Sequence, residues 1–137
     1  SLYSATMTDK FAPRLRRFVK RAAFWCLWPA ALVITWGELT PNPPSEANLV
    51  WDKAEHFTAY FGLALLGTLG WAHRQRPLLV AFAVLALGGI LELLQMLVGR
   101  DAEWGDMLAN ALGDACGTGL ALGLLALARL VDRRRAG

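Results

Sequence analysis

Residues 78–91 carry no polar side chain on any helical face. A helix of that composition has no side for water, which excludes a water-soluble amphipathic bundle and requires lipid or protein all round. Continued to residue 98, the run reads LLVAFAVLALGGILELLQMLV, about the length that crosses a hydrocarbon core. Residues 22–39, 57–72 and 107–131 form three further apolar stretches. Charged residues make up only 18% of the 137 and are nearly absent from all four. The sequence therefore predicts one all-α domain, an integral membrane four-helix bundle, with no length left for a second domain. A disordered chain and a nucleic-acid-binding module are excluded on the same grounds.

The second stretch is the shortest and meets Glu55 and His56 early. Its helix is predicted to extend back toward Trp51, with the polar side chains facing protein rather than lipid. Pro29 predicts a kink in the first helix, and Gly88-Gly89 a bend or close contact in the third. Cys26 and Cys116 read as small apolar packing residues. Their depths differ by about 10 Å, too far for a disulfide, whose Cα atoms must lie within about 7 Å. Residues 1–6 are read as a remnant ahead of a natural start at Met7-Thr8, leaving 7–137 as the membrane domain. Gly37-Glu38-Leu39 offers no small-x-small site, so the first span is not read as a cleaved signal peptide.

Lysine and arginine set the expected orientation. Lys10, Arg14, Arg16, Arg17, Lys20, Arg21, Arg74, Arg76, Arg129, Arg133, Arg134 and Arg135 fall on one side, leaving only Lys53 and Arg100 for the other. Both termini are thus expected in the cytoplasm. The acidic residues segregate oppositely, with only Asp9 and Asp132 on the basic side. Trp25, Trp28 and Trp71 are expected at the inner interface, and Trp36, Trp51 and Trp104 at the outer one. The basic N-terminal run serves retention on the inner side and contact with anionic lipid.

Ionisable residues within spans are costly and each needs a partner. In the second helix Asp52, His56 and Tyr60 recur every four residues and share a face. Glu92 and Gln95 stand three apart in the third, with Arg100 just beyond it. Asp106, Asn110 and Asp114 share a face of the fourth with Gly113 and Gly117, small residues that let a neighbouring helix approach. At 1.5 Å per residue Glu92 and Asp114 lie about 9–10 Å below the outer boundary, and Tyr60 and Asn110 about 4.5 Å below it. These residues are expected to line one outward-opening polar pocket, with Lys53 and Arg100 at its rim.

Plainer roles compete for each residue. Gln95 and Asn110 read first as interhelical glue, worth about 0.6 kcal/mol per contact, and Tyr60 as an interface aromatic. Glu92 must be paired or protonated at that depth, with Lys53 or Arg100 as the basic side chains in reach. His56 gains weight as a proton carrier because carboxylates surround it. No HxxxH, CxxC or HExxH spacing signals a metal, so no cofactor is predicted, although one histidine among carboxylates leaves a divalent cation open. The chain has no P-loop, GxGxxG or GxSxG motif.

Three ordered motifs, Asp52-Lys53-x-x-His56-x-x-x-Tyr60, Glu92-x-x-Gln95-x-x-x-x-Arg100 and Asp106-x-x-x-Asn110-x-x-Gly113-x-x-x-Gly117, resemble those of the VanZ-like family of small bacterial membrane proteins. The resemblance covers about half of the chain. Glu103-Trp104 and Asp114 depart from the pattern, at positions that bear on ligand preference. The resemblance implies a multi-pass protein of the bacterial cytoplasmic membrane with a cell-envelope role, the namesake being associated with antibiotic resistance toward glycopeptides of the teicoplanin type.

Two functional classes follow. In the first, a non-enzymatic pocket binds membrane lipid, a lipid-linked cell-wall precursor or a glycopeptide antibiotic, with Lys53 and Arg100 meeting phosphate. In the second, a membrane hydrolase or transferase acts on a lipid-linked phosphate, with His56 as general acid or base and Glu92 and Asp106 orienting it or a metal. The pocket holds more acid than base, which favours the first unless a divalent cation is bound. Homo-oligomerisation stays open, and no nucleic-acid partner is expected.

Overall fold

The computed structural model describes residues 2–41, 49–71, 76–101 and 103–136, and the side chains of 13–41, 52–71, 76–101 and 103–134. Arg74 and the side chains of Lys10, Trp51 and Arg135, which entered the orientation argument, lie outside those residues. Four helices run in sequence: α1 (Leu2–Leu39), α2 (Leu49–Gly70), α3 (Pro77–Gln95), extended by a 3-10 turn at Met96–Val98, and α4 (Trp104–Ala136). No strand occurs among the described residues.

Local chemistry accounts for the helix ends. Pro77 opens α3 at a position where its missing N–H leaves no bond unmade. Gly99, at φ 78°, takes the left-handed conformation that stops the 3-10 turn, and the Arg100 N–H then closes on the Gln95 carbonyl at 3.0 Å. The Glu103 carbonyl accepts the first backbone bonds of α4, from Asp106 and Met107. Asp52 and Asp106 sit in the first turns of α2 and α4, where a negative charge complements the helix dipole. Helix α1 carries through Pro13 and Pro29 as one element, so the basic N-terminal run is itself helical.

Three segments, Pro13–Leu39, Pro77–Val98 and Trp104–Arg134, are long and apolar enough to cross a membrane. Helix α2 is the exception: it packs on all three other helices, as α3 does, but is set most closely against α4. A helix enclosed by protein can carry polar side chains that a lipid-facing helix cannot. Tyr60, Leu63 and Ala64 of α2 and Val84 of α3 form the core, with Leu27, Ala30, Ala31 and Ile34 of α1 packed on it. The extension of α2 back past Trp51 matches the sequence reading, and His56 is buried as expected, but Glu55 is exposed and does not face protein.

Small residues set the α2–α4 distance. A Cβ on Gly113 would run into the Phe57 carbonyl oxygen and lie 3.0 Å from Phe61 N, and one on Gly117 would meet the Phe61 carbonyl. The two backbones are in contact only because both positions lack a side chain. Gly88 of α3 likewise admits the Tyr60 ring, whose Cε1 would stand 2.8 Å from an added Cβ.

Two expectations need correcting. Cys26 and Cys116 are free, as the depths required, but exposed: they lie on the outside of the bundle and do not pack within it. Tyr60 is fully buried beneath Gly88 and is no interface aromatic. Trp25, Trp28, Trp36 and Trp104 do lie exposed, as interface residues should. With α1 and α3 antiparallel to α2 and α4, one end of the bundle collects the acidic residues. The other holds Arg16 of α1 against Asp132 of α4.

Candidate functional site

The acidic end is assembled from the last turn of α1, the first turns of α2 and α4, and the end of α3. Helical spacing puts Asp52, His56 and Tyr60 on the face of α2 turned toward these neighbours. Lys53 stands beside them. Its ammonium bonds the Asp106 carboxylate, lies 2.6 Å from Glu103 Oε2 and comes within 3.6 Å of Asp52 Oδ2. Gly105 gives its stem room, since a Cβ there would fall 2.7 Å from Lys53 Cε.

His56 is buried, and its two ring nitrogens face different groups. Nδ1 lies 3.0 Å from Asn110 Oδ1 and 3.8 Å from Glu38 Oε1. Nε2 lies 3.7 Å from Asp106 Oδ2. With Asn110 Oδ1 as its acceptor, Nδ1 carries a proton, and Nε2 also faces an acceptor, the Asp106 carboxylate. Asn110 thus does more than join helices: it orients the ring. Donor atoms of Asp52, His56 and Asp106 all lie within 4.8 Å of one another.

Glu38 is the residue that sequence reasoning missed. Tyr60 donates its hydroxyl hydrogen to Glu38 Oε2 at 3.3 Å, while Glu38 Oε1 is buried with no hydrogen-bond partner. The same residue's carbonyl accepts from Gln95 Nε2 at 3.2 Å and from Arg100 at 2.7 Å, and Arg100 also reaches the Gly37 carbonyl at 3.4 Å. Those carbonyls end α1, where a cation is favoured. The signal was an acid one residue inside the boundary of the first apolar stretch.

Glu92 of α3 accepts the Glu103 backbone N–H on Oε1 at 2.6 Å, and its Oε2 is buried without a partner. The carboxylate borders a groove of about 410 Å³ between α3 and α4, walled by Gly89, Ile90, Leu93, Trp104 and Met107 and closed at its polar end by Glu92 and Glu103. Volumes of this size accommodate a small ligand.

The expected rim is therefore different in kind. Lys53 is held by carboxylates and Arg100 by the end of α1, so neither stands ready for a phosphate. The hydrogen bond made by Glu92 runs to a backbone amide and to neither cation. Asp114 is buried but set apart: Oδ1 takes a 3.5 Å bond from Thr118, one turn along its own helix. Asp52, Lys53, His56, Tyr60, Asp106 and Asn110 come together with Glu38 and Glu103, while Gln95 and Arg100 anchor α1 beside them. No family model, curated protein or solved structure matches the chain.

Proposed function

We propose that this is a VanZ-like protein of the bacterial cytoplasmic membrane, crossing it four times with both termini inside, whose acidic end opens outward and binds the polar head of an amphipathic ligand. The one-sided distribution of lysine and arginine supports the orientation. The ordered motifs support the family reading, since their residues converge at one end of the bundle. The groove between α3 and α4 is the observation that carries the function. Its wall of Ile90, Leu93, Trp104 and Met107 suits an acyl or isoprenoid chain, and the wall leads to the carboxylates of Glu92 and Glu103 at the acidic end.

The engagement of both cations narrows the ligand class. A bare phosphate would meet five carboxylates (Glu38, Asp52, Glu92, Glu103 and Asp106) against two cations, Lys53 already paired with carboxylates and Arg100 turned by its Nη1 to the end of α1. A head bearing an amine or several hydrogen-bond donors fits better, whether carried by a membrane lipid, a lipid-linked envelope precursor or a glycopeptide antibiotic. Mass spectrometry of amphipaths that copurify in mild detergent tests this. The wild type is expected to retain a defined species that Glu92→Gln loses while keeping its fold; the same species in both proteins overturns the reading.

A second reading is favoured by His56 alone, a buried imidazole 3.7 Å from Asp106 and the side-chain type that serves most often as general acid or base. It makes the protein a hydrolase or transferase acting on a lipid-linked phosphate. Release of inorganic phosphate from a polyprenyl diphosphate by the wild type, lost in His56→Gln, would establish it over the first.

A further inference from the structure

Lys53 pairs with two members of the Asp52, His56 and Asp106 set, the carboxylates of Asp52 and Asp106. We propose that Asp52, His56 and Asp106 form a divalent transition-metal site, of the zinc or manganese class, which Lys53 closes by acting as a tethered competing cation. One imidazole nitrogen with two carboxylates is a ligand set such ions accept, with open positions left for water or substrate. Donors on a tetrahedral zinc at about 2.1 Å stand roughly 3.4 Å apart. His56 Nε2 and Asp106 Oδ2 are already 3.7 Å apart, and the whole set lies within 4.8 Å. Side-chain rotation alone closes that gap. The Nδ1 bond to Asn110 supplies the outer partner that metal-binding histidines use to keep the other nitrogen unprotonated.

Two further observations point to a missing cation. Glu38 Oε1, in a side chain about nine-tenths buried, faces His56 Nδ1 at 3.8 Å without a hydrogen bond. Glu92 Oε2 is equally buried and unpartnered. Five carboxylates, of which Glu38, Glu92 and Asp106 are buried and Asp52 and Glu103 partly exposed, thus stand against the two cations of this end, Lys53 and Arg100. Buried charge of one sign is costly until a counter-ion arrives.

The displacement route is built in. Asp106 is nearly buried, with 8% of its side chain exposed, whereas Glu103 is 48% exposed. Lys53 can leave Asp106 and remain paired with Glu103 further out. An arriving ion then exchanges one ammonium for two positive charges, and no covalent step is involved.

The test uses the tag-free protein in nanodiscs of zwitterionic lipid, titrated with Co²⁺ for its visible bands and with Zn²⁺ for thermal stability. The readout is metal binding at constant lipid composition and not retention of an amphipath, so failure here is distinct from failure of the headgroup reading. The wild type is expected to bind one ion per chain, and Lys53→Met to bind at least tenfold more tightly with a larger thermal shift. Asp106→Asn should bind none, and Glu55→Gln, an exposed carboxylate on the same helix, should match the wild type. Should Lys53→Met accumulate only when metal is supplied, that rescue also supports the site. Unchanged or weaker affinity in Lys53→Met, binding that survives Asp106→Asn, or no binding by the wild type together with no metal rescue of Lys53→Met overturns it.

Discussion

The two ends of this bundle handle charge in opposite ways. At the basic end one guanidinium, Arg16, meets both oxygens of Asp132 and the Ala128 carbonyl, a closed arrangement that ties α1 to α4. Close packing continues there: a Cβ on Gly70 would stand 2.9 Å from the Phe24 backbone, and the Phe24 ring packs with Trp25, Trp28 and Trp71. At the acidic end carboxylates outnumber the cations that could pair with them. Of the four buried side-chain atoms left without a partner among the described residues, three (Glu38 Oε1, Glu92 Oε2 and Asn110 Nδ2) lie there, and the fourth is the Thr68 hydroxyl. Unmet polar atoms, two carboxylate oxygens and one amide donor, are thus concentrated at the acidic end.

The largest effect is expected where both ends share a support. Gly113→Val drives a side chain into the Phe57 carbonyl and forces α2 from α4, costing about 3 kcal/mol or more. Denaturant titration should show it, and near-wild-type stability would mean that the α2–α4 contact is looser than described. The acidic end should behave in the reverse manner. Glu92→Gln keeps an acceptor for the Glu103 N–H while removing a buried charge, so stability is expected to rise by about 1 kcal/mol as retained ligand is lost. A loss of stability with ligand retained would make Glu92 structural and erase the contrast between the ends.

The smallest effect belongs to the basic end. Arg16→Ala removes a half-exposed pair and should cost at most about 1 kcal/mol, less at high salt, with no change in ligand retention. If it altered the copurifying species, the two ends would be coupled.

Some of this was legible in the chain. The run at 78–91 declares its surroundings because no face of it is polar. Asp52, His56 and Tyr60 declare a shared face because helical periodicity is local. Hydropathy could not identify α2 as the central helix: its polar residues are explained only by the three helices around it. Glu38 was invisible for a related reason. Its partners, His56, Tyr60, Gln95 and Arg100, come from two other helices and a turn, and nothing in the first stretch announces them. Lys53 and Arg100 were recognised as the only basic residues near the pocket, but their engagement depends on which acceptors the fold brings within reach. Asp114 shows the converse, since four-residue spacing placed it on the right face yet too far along the helix to join the cluster.

The contrast between the ends has functional meaning only if the acidic end faces outward. Replacing Cys26 and Cys116 with alanine and introducing Asp101→Cys or Arg76→Cys, one beside each end, allows a membrane-impermeant maleimide to report orientation in intact cells. The account predicts labelling at position 101 without permeabilisation and at 76 only after it. Labelling at 76 from outside, with 101 protected, would contradict it.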